Sequence, residues 1–261
     1  KKEILSNKNI SFVPTMGGLH KGHISLIKES KKKVGKTLVS IFVNPKQFND
    51  IKDFNRYPRH FNRDLKILKK LNIDYLYTPT YRDIFSFECK NKICLNDFSK
   101  KLCGKTRKGH FEGVLNVVNR FLEIINPKYI LLGEKDFQQM YLINSHIKEN
   151  HIQTKVITCK TIREINGVAC STRNNNLNKK QLLLASKIYK YFRTKKKLIK
   201  KDYKNIIISN YKKDLIELGV KKIDYIAVLN TKTLKEIKMK SKNFRIFIAY
   251  YIDKIRLIDN I

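Results

Sequence analysis

Short, almost continuously apolar runs alternate with segments of helical periodicity through the first part of this chain, and that alternation narrows its fold more than any other feature. "ISFVP" (residues 10–14) precedes "HISLIKESKKKV", in which Ile24, Leu26, Ile27 and Val34 share helical spacing. "TLVSIFV" (37–43) is a second apolar run, followed by the polar, turn-rich "NPKQFNDIKDFNRYPR", a helix near 61–71 and the strand-like "IDYLYTP". "FEGVLNVVNRFLEII" (111–125) is helical by the spacing of Val114, Leu115, Val118, Phe121, Leu122 and Ile125. "KYILLG" then reads as a strand, "FQQMYLINSHI" as the helix behind it and "TKVITC" as a closing strand. Apolar runs without inside–outside alternation suit strands covered on both faces, so an α/β domain with a Rossmann-like, mostly parallel sheet is expected.

The character changes near residue 175. A Lys-rich helix "KKQLLLASKIYKYF" and further helix to Leu218 lead into "KIDYIAVLN" and "FRIFIAYYI", both strand-like. Helices followed by strands predict a smaller α+β domain. The expected division is a catalytic domain over 1–174 and a lid domain over 175–261.

At 261 residues with 42% hydrophobic content, the chain has enough apolar material for one or two cores. No run approaches a membrane span, and the Lys-rich start lacks the apolar stretch of a signal peptide, so the cytoplasm is the expected compartment and no membrane partner is expected. Five cysteines (Cys89, Cys94, Cys103, Cys159 and Cys170) are odd in number and never form C-x-x-C, which argues against a disulfide framework or a zinc knuckle. The formal charge of +34, from 56 Lys+Arg against 22 Asp+Glu, raises nucleic acid as a partner. Lysines are instead scattered over the whole sequence beside abundant Ile and Asn, and no aromatic–basic motif accompanies them. The charge reads as compositional background, with no specific nucleic-acid partner expected.

"FVPTMGGLHKGHISLI" (12–27) carries the chemistry. Ligands of open parallel sheets bind beyond the carboxyl ends of the strands, where a starting helix presents N–H groups and a positive dipole end. Gly17 and Gly18 permit close backbone approach to an anion, and His20 and His23 sit at the helix entry. Two readings of the histidines stand open here: a cap or packed imidazole pair, or donors of ring N–H groups to phosphoryl oxygens. Three more polar segments fall at strand ends: "VNPKQF" with Asn44 and Gln47, "GEKDFQQ" with Lys135, Asp136 and Gln139, and "CSTRNNNL" with Ser171, Thr172 and Arg173, two hydroxyls and a guanidinium fork suited to phosphate.

The H-x-G-H turn, with "FVPTMGGLHKGH", "VSIFVNPKQF", "YPR", "TRKGHFEGV", "LLGEKDFQQ" and "REINGVACSTRN" in order, resembles the pantothenate synthetase (pantoate–β-alanine ligase) family of HIGH-type nucleotidylyltransferases. The likeness is specific up to about Leu177 and loose beyond it. It implies that pantoate and ATP give pantoyl adenylate and pyrophosphate, and that β-alanine then displaces AMP to give pantothenate. It implies an ATP site from Met16, Gly17, Gly18, Leu19, His20, Lys21, Gly22, His23, Gly133, Glu134, Lys135, Asp136, Ile162, Cys170, Ser171, Thr172 and Arg173. His23, as proton donor, with His20, Lys135 and Arg173 would act in catalysis. Gln47 and Gln139 would orient pantoate, with Gln47 also touching β-alanine, while Arg107 and His110 would lie nearby. A homodimer is the assembly the family implies.

Magnesium would accompany ATP, and the resemblance points to Asp64 as its protein ligand; Asp64 equally suits a helix first turn. Gly18 stands where the family usually has Ala, Lys21 where it often has Glu, Arg63 where an acid is common, and Cys170 and Thr172 replace Met or Leu and Ser. "KKEILSNKN" is shorter than the family's opening helix. "KMKSK" (238–242) imitates a synthetase lysine loop, but its order is scrambled and it falls in a Lys-rich segment. Two rivals remain to be tested: a nucleotidylyltransferase of a phosphorylated acceptor, and a nucleic-acid binder on a retained fold.

Overall fold

The computed structural model describes residues 9–33, 35–239 and 241–261. The opening segment, Val34 and part of "KMKSK" thus lie outside the described residues. The chain divides into two compact units, Lys1–Thr161 and Ile162–Ile261.

In the first unit β1 (Ile10–Thr15), β2 (Lys36–Ile41), β3 (Tyr75–Tyr77), β4 (Tyr129–Gly133) and β5 (Lys155–Cys159) form a sheet of order β3-β2-β1-β4-β5. Every pairing is parallel. The central strands explain the unbroken apolar runs: Ile10, Phe12 and Val13 of β1, Leu38 and Val39 of β2, and Ile130 and Leu131 of β4 are all fully buried. Successive residues face opposite layers. Val13, Val39 and Leu131 join Leu26 and Ile27 of α1 (Lys21–Lys31) and Leu68 of α2 (Phe61–Lys70) in one cluster. On the other face Phe12 meets Phe121 of α3 (His110–Ile125) edge-on, with ring centroids 5.3 Å apart. The helix α4 (Phe137–Glu149) follows β4. β5 lies at the sheet edge, and its Lys155 and Thr158 are exposed.

Moving along the chain, β1 leads outward to β2 and β3, whereas β4 and β5 build on β1's other side. The strand order therefore reverses between β1 and β4, and the crevice beyond their carboxyl ends is where such sheets take ligands. The turn-rich stretch after β2 contains a 3-10 turn at Pro45–Gln47 and a short helix at Ile51–Asn55, which its polar composition did not announce.

The second unit holds α5 (Lys179–Lys201), α6 (Ile208–Glu217) and an antiparallel sheet of β6 (Lys222–Asn230), β7 (Phe244–Ile252) and β8 (Ile255–Asn260), in that order. Asn178 and Gln181 close a capping box at the start of α5. Ile188, Phe192, Leu215 and Ile246, each fully buried, centre its core.

The division falls after Thr161, ahead of the boundary expected after residue 174, because residues 162–174 are tied into the C-terminal unit. Arg163 and Ala169 form an antiparallel bridge, and Val168 enters the second core. Arg163 grips Asp259 with both terminal guanidinium nitrogens, at 2.7 and 2.9 Å. Gly167, at φ +89°, turns this hairpin; a Cβ there would lie 2.2 Å from the Tyr189 ring.

Candidate active site

The H-x-G-H turn begins where β1 ends. Thr15 donates its hydroxyl to the Ser40 carbonyl (2.6 Å) and accepts the Gly17 N–H (3.2 Å), which fixes the exit from the strand. Gly17 and Gly18 then adopt left-handed conformations, φ +77° and +61°. Their turn does not present its amides outward, as the sequence suggests. The Gly18 N–H donates to Asp64 Oδ2 and the Leu19 N–H to Oδ1, each at 2.8 Å. Leu19, 2% exposed, packs into the sheet cluster and pins the turn from beneath.

Of the two open readings of the histidines, the structure shows the cap. His20 is the N-cap of α1: its Nδ1 accepts the Gly22 N–H at 3.1 Å, and His23 Nδ1 accepts the His20 N–H at 3.4 Å, a reciprocal capping box built from imidazoles. The rings lie 4.1 Å apart at 33°. Because each Nδ1 accepts, each neutral ring carries its proton on Nε2, the atom suited to a phosphoryl oxygen. Burial, reinforced by the neighbouring His20, lowers the pKa of His23 to about 3 against the pull of Asp136. His23 is therefore a neutral imidazole at physiological pH, a hydrogen-bond donor without a transferable imidazolium proton.

β4 delivers the second polar edge. Gly133 ends the strand, and Glu134–Asp136 form a 3-10 turn that runs directly into α4. Lys135 Nζ lies 3.3 Å from the Asp136 carboxylate, and both residues act electrostatically on His23, so this turn neighbours the histidines at the strand-order reversal. The two glutamines of "DFQQ" separate in role. Gln138 is buried and holds Cys103 N, Phe98 O and Lys101 O, whereas Gln139 is only half-buried on the first turn of α4.

Gln47 sits on the edge after β2, with its side-chain nitrogen 2.8 Å from Met16 Sδ beside the glycine turn. Its backbone is clamped by His110, the first residue of α3, and by Arg107 just before it. Its carbonyl accepts from Arg107 Nη2 at 3.1 Å and from His110 Nδ1 at 2.8 Å, while Arg107 Nη1 donates to His110 Nε2 at 2.9 Å. Arg107 and His110 thus position Gln47. Asn44, 1% exposed, fastens the same turn by donating to the Gly113 carbonyl at 3.0 Å. Gly113 was missed as a site-building residue: a Cβ there would stand 2.2 Å from the Lys46 carbonyl oxygen. The signal was present in "FEGV", a glycine inside an otherwise helical pattern, which often marks close approach.

Asp64 does not fit a magnesium ligand. It is 1% exposed, both carboxylate oxygens are engaged by backbone N–H groups, and among the described residues no three His, Cys, Asp or Glu side chains gather as a metal site. The remaining expected residues belong to the second unit. Cys170 N–H donates to Ile162 O (2.9 Å), Ser171 Oγ caps the Thr172–Asn176 turn by accepting from Arg173 N (3.3 Å), and Thr172 is 6% exposed.

The chain as a whole is similar to known proteins. The family model of pantoate-beta-alanine ligase covers residues 1–261. The chain belongs to the pantoate–β-alanine ligase family. Pantothenate synthetase of Caldicellulosiruptor bescii is 37% identical over 265 residues, spanning 100% of this chain and 93% of the relative, and that of Flavobacterium psychrophilum is 39% identical over 100% and 94%. The pantoate-beta-alanine ligase of Francisella tularensis, crystallised with beta-gamma ATP and beta-alanine, superposes with a TM-score of 0.82 at 38% identity, covering 97% of this chain and 89% of that one. Pantothenate synthetase of Thermus thermophilus gives 0.89 at 28% identity over 97% and 92%. The ligase activity, ATP-dependent joining of pantoate and β-alanine, follows from this membership. The rival reading of a phosphorylated-acceptor transferase falls with it. Among the described residues no helix of the ligase is long and apolar enough to cross a membrane.

Proposed function

We propose that the chain makes pantothenate through a pantoyl adenylate formed at the β1–β4 crevice. The observation that carries this is the imidazole capping box, which engages Nδ1 of both rings and so leaves Nε2 as the proton-bearing nitrogen of each, with Lys135 acting electrostatically on His23 at the reversal of strand order. In the first step a pantoate carboxylate oxygen attacks the α-phosphorus of ATP, and the bond to the β-phosphate bridging oxygen breaks. Pyrophosphate leaves as an anion, so no proton need be transferred. What the step demands is alignment and stabilisation of charge on the phosphoryl oxygens. Neutral His20 and His23 donate hydrogen bonds, and Lys135 supplies positive charge. This revises the role of His23 from proton donor to neutral hydrogen-bond donor.

Gln47, clamped by Arg107 and His110, and Gln139 orient pantoate through its hydroxyls and carboxylate, and Gln47 also meets β-alanine. The neutral amine of β-alanine attacks the adenylate carbonyl, the bond to AMP breaks, and the amine proton passes to solvent. Met16 to Gly22 and Gly133 to Asp136 contact the nucleotide, and Ile162 and Cys170 to Arg173 are further nucleotide contacts, with Arg173 on a phosphate oxygen. Magnesium accompanying ATP would supply charge neutralisation for the leaving pyrophosphate. Cytoplasmic location and a homodimer complete the reading, and sedimentation equilibrium tests the latter.

The test is pyrophosphate release from ATP and pantoate, followed by AMP and pantothenate when β-alanine is added. Pyrophosphate that depends on pantoate supports the adenylate. ADP as the nucleotide product, or release that ignores pantoate, contradicts it.

A further inference from the structure

We infer that Asp64 is a positioning residue that acts as an internal counter-anion for the H-x-G-H turn, setting the geometry in which the imidazoles meet ATP. The inference rests on the adenylation reading above. A left-handed pair of glycines leading into a helix ordinarily offers its N–H groups as a nest for an external anion. Here a side chain occupies that role. Asp64 projects from the first turn of α2, across 46 residues of sequence, and its two oxygens each take one amide of the turn at 2.8 Å.

The fit is tight on every side. Asp64 is 1% exposed, and a Cβ on Gly17 would lie 3.1 Å from its Oδ2 and 3.2 Å from Ile41 Cγ2, in addition to straining φ +77°. Leu19, whose N–H is one of the two donors, is the residue immediately before His20, so rotation of its peptide turns the cap residue itself. Because the carboxylate holds the Gly18 and Leu19 amides, phosphate recognition at this turn falls to side chains, the two Nε2–H groups and Lys135. A backbone nest would bind any phosphate group; a pair of rings set by a buried lever binds one placed correctly between them.

Asp64→Asn keeps the size and one acceptor but faces an amide nitrogen toward an N–H donor, so one of the two bonds is lost and the other is no longer charge-assisted. The expected result is a fall of about tenfold to a hundredfold in kcat/KM for ATP, with the KM for pantoate unchanged. Loss of folded protein alone would lower kcat and leave both KM values as they were. Gly17→Ala, which presses on the same oxygen from the other side, is expected to show the same split, and the double variant to lose less than the product of the two.

In nucleotide-free, 15N-labelled protein, the Gly18 and Leu19 amides are expected to resonate downfield in wild type, to shift upfield in Asp64→Asn, and to ignore added Mg2+. Wild-type kinetics in Asp64→Asn, or Mg2+-dependent shifts of those two amides without ATP, would overturn the inference. Wild-type enzyme that releases no pantoate-dependent pyrophosphate would instead strike the adenylation reading, leaving the amide shifts to decide the role of Asp64.

Discussion

His23 couples the site to folding, and acid separates its two protonation states. Its Nδ1 accepts the His20 N–H, its ring lies 4.1 Å from His20, and its pKa is lowered from 6.5 to about 3. Between those values the unfolded chain binds a proton that the folded chain refuses, so the stability His23 contributes is complete above about pH 6.5 and is lost as the pH falls toward 3. At pH 5, some 1.5 units below the unfolded value, the loss is about 2 kcal/mol relative to pH 8. Burial also lowers His146, but that residue is common to wild type and variant and cancels between them. The assay is urea unfolding of the first unit at pH 8 and pH 5, followed through the amide signals of β1, in wild type and His23→Gln. Wild type is expected to lose about 2 kcal/mol more than the variant on acidification. Equal losses would refute the neutral, desolvated state of His23. So would a limb near pH 6.5 in kcat/KM for ATP that disappears in His23→Gln.

Three further outcomes follow from contacts elsewhere. Arg107→Lys removes the fork that spans His110 Nε2 and the Gln47 carbonyl, and is expected to raise the KM for pantoate about tenfold while changing kcat less; an unchanged KM would count against the clamp. Gly113→Ala ought to stabilise an ordinary helix by about 1 kcal/mol, but its Cβ would meet the Lys46 carbonyl oxygen at 2.2 Å. Thermal denaturation is therefore expected to show destabilisation by about 1–3 kcal/mol, and stabilisation would contradict the close approach. Asp259→Asn leaves the Arg163 guanidinium, with its side chain 19% exposed, without its carboxylate, and is expected to cost about 3–5 kcal/mol in unfolding of the second unit. A loss below about 1 kcal/mol would mark the pair as an ordinary surface bridge.

The central strands were legible because β1, β2 and β4 are buried on both faces, which leaves an unbroken apolar run. β8 was not, although Ile255 to Asn260 pairs along β7: it is half polar, and only the left-handed Asp253 before Lys254 marks its turn. The early boundary at Thr161 depended on a long-range ion pair, Arg163 with Asp259, that no local pattern reveals. At the site, the glycine turn and the histidines could be located from spacing, but the direction of the Gly18 and Leu19 amides could not. That direction is set by a carboxylate 46 residues away, and a first-turn acid looks the same in sequence whether it faces solvent, a metal or a buried turn. Arg107 and His110 were placed near the site by motif alone. Their function, holding the Gln47 carbonyl, is a backbone contact that residue types do not encode.

The fate of the pantoate carboxylate oxygen tests the chemistry most directly. Pantoate labelled with 18O in its carboxylate, turned over with ATP and β-alanine and read by the isotope shift in 31P spectra, is expected to place one 18O on the phosphorus of AMP, since the oxygen that attacks leaves with AMP when the amine displaces it. Label in inorganic phosphate with ADP as co-product, or AMP without label, would contradict an adenylate formed at this crevice.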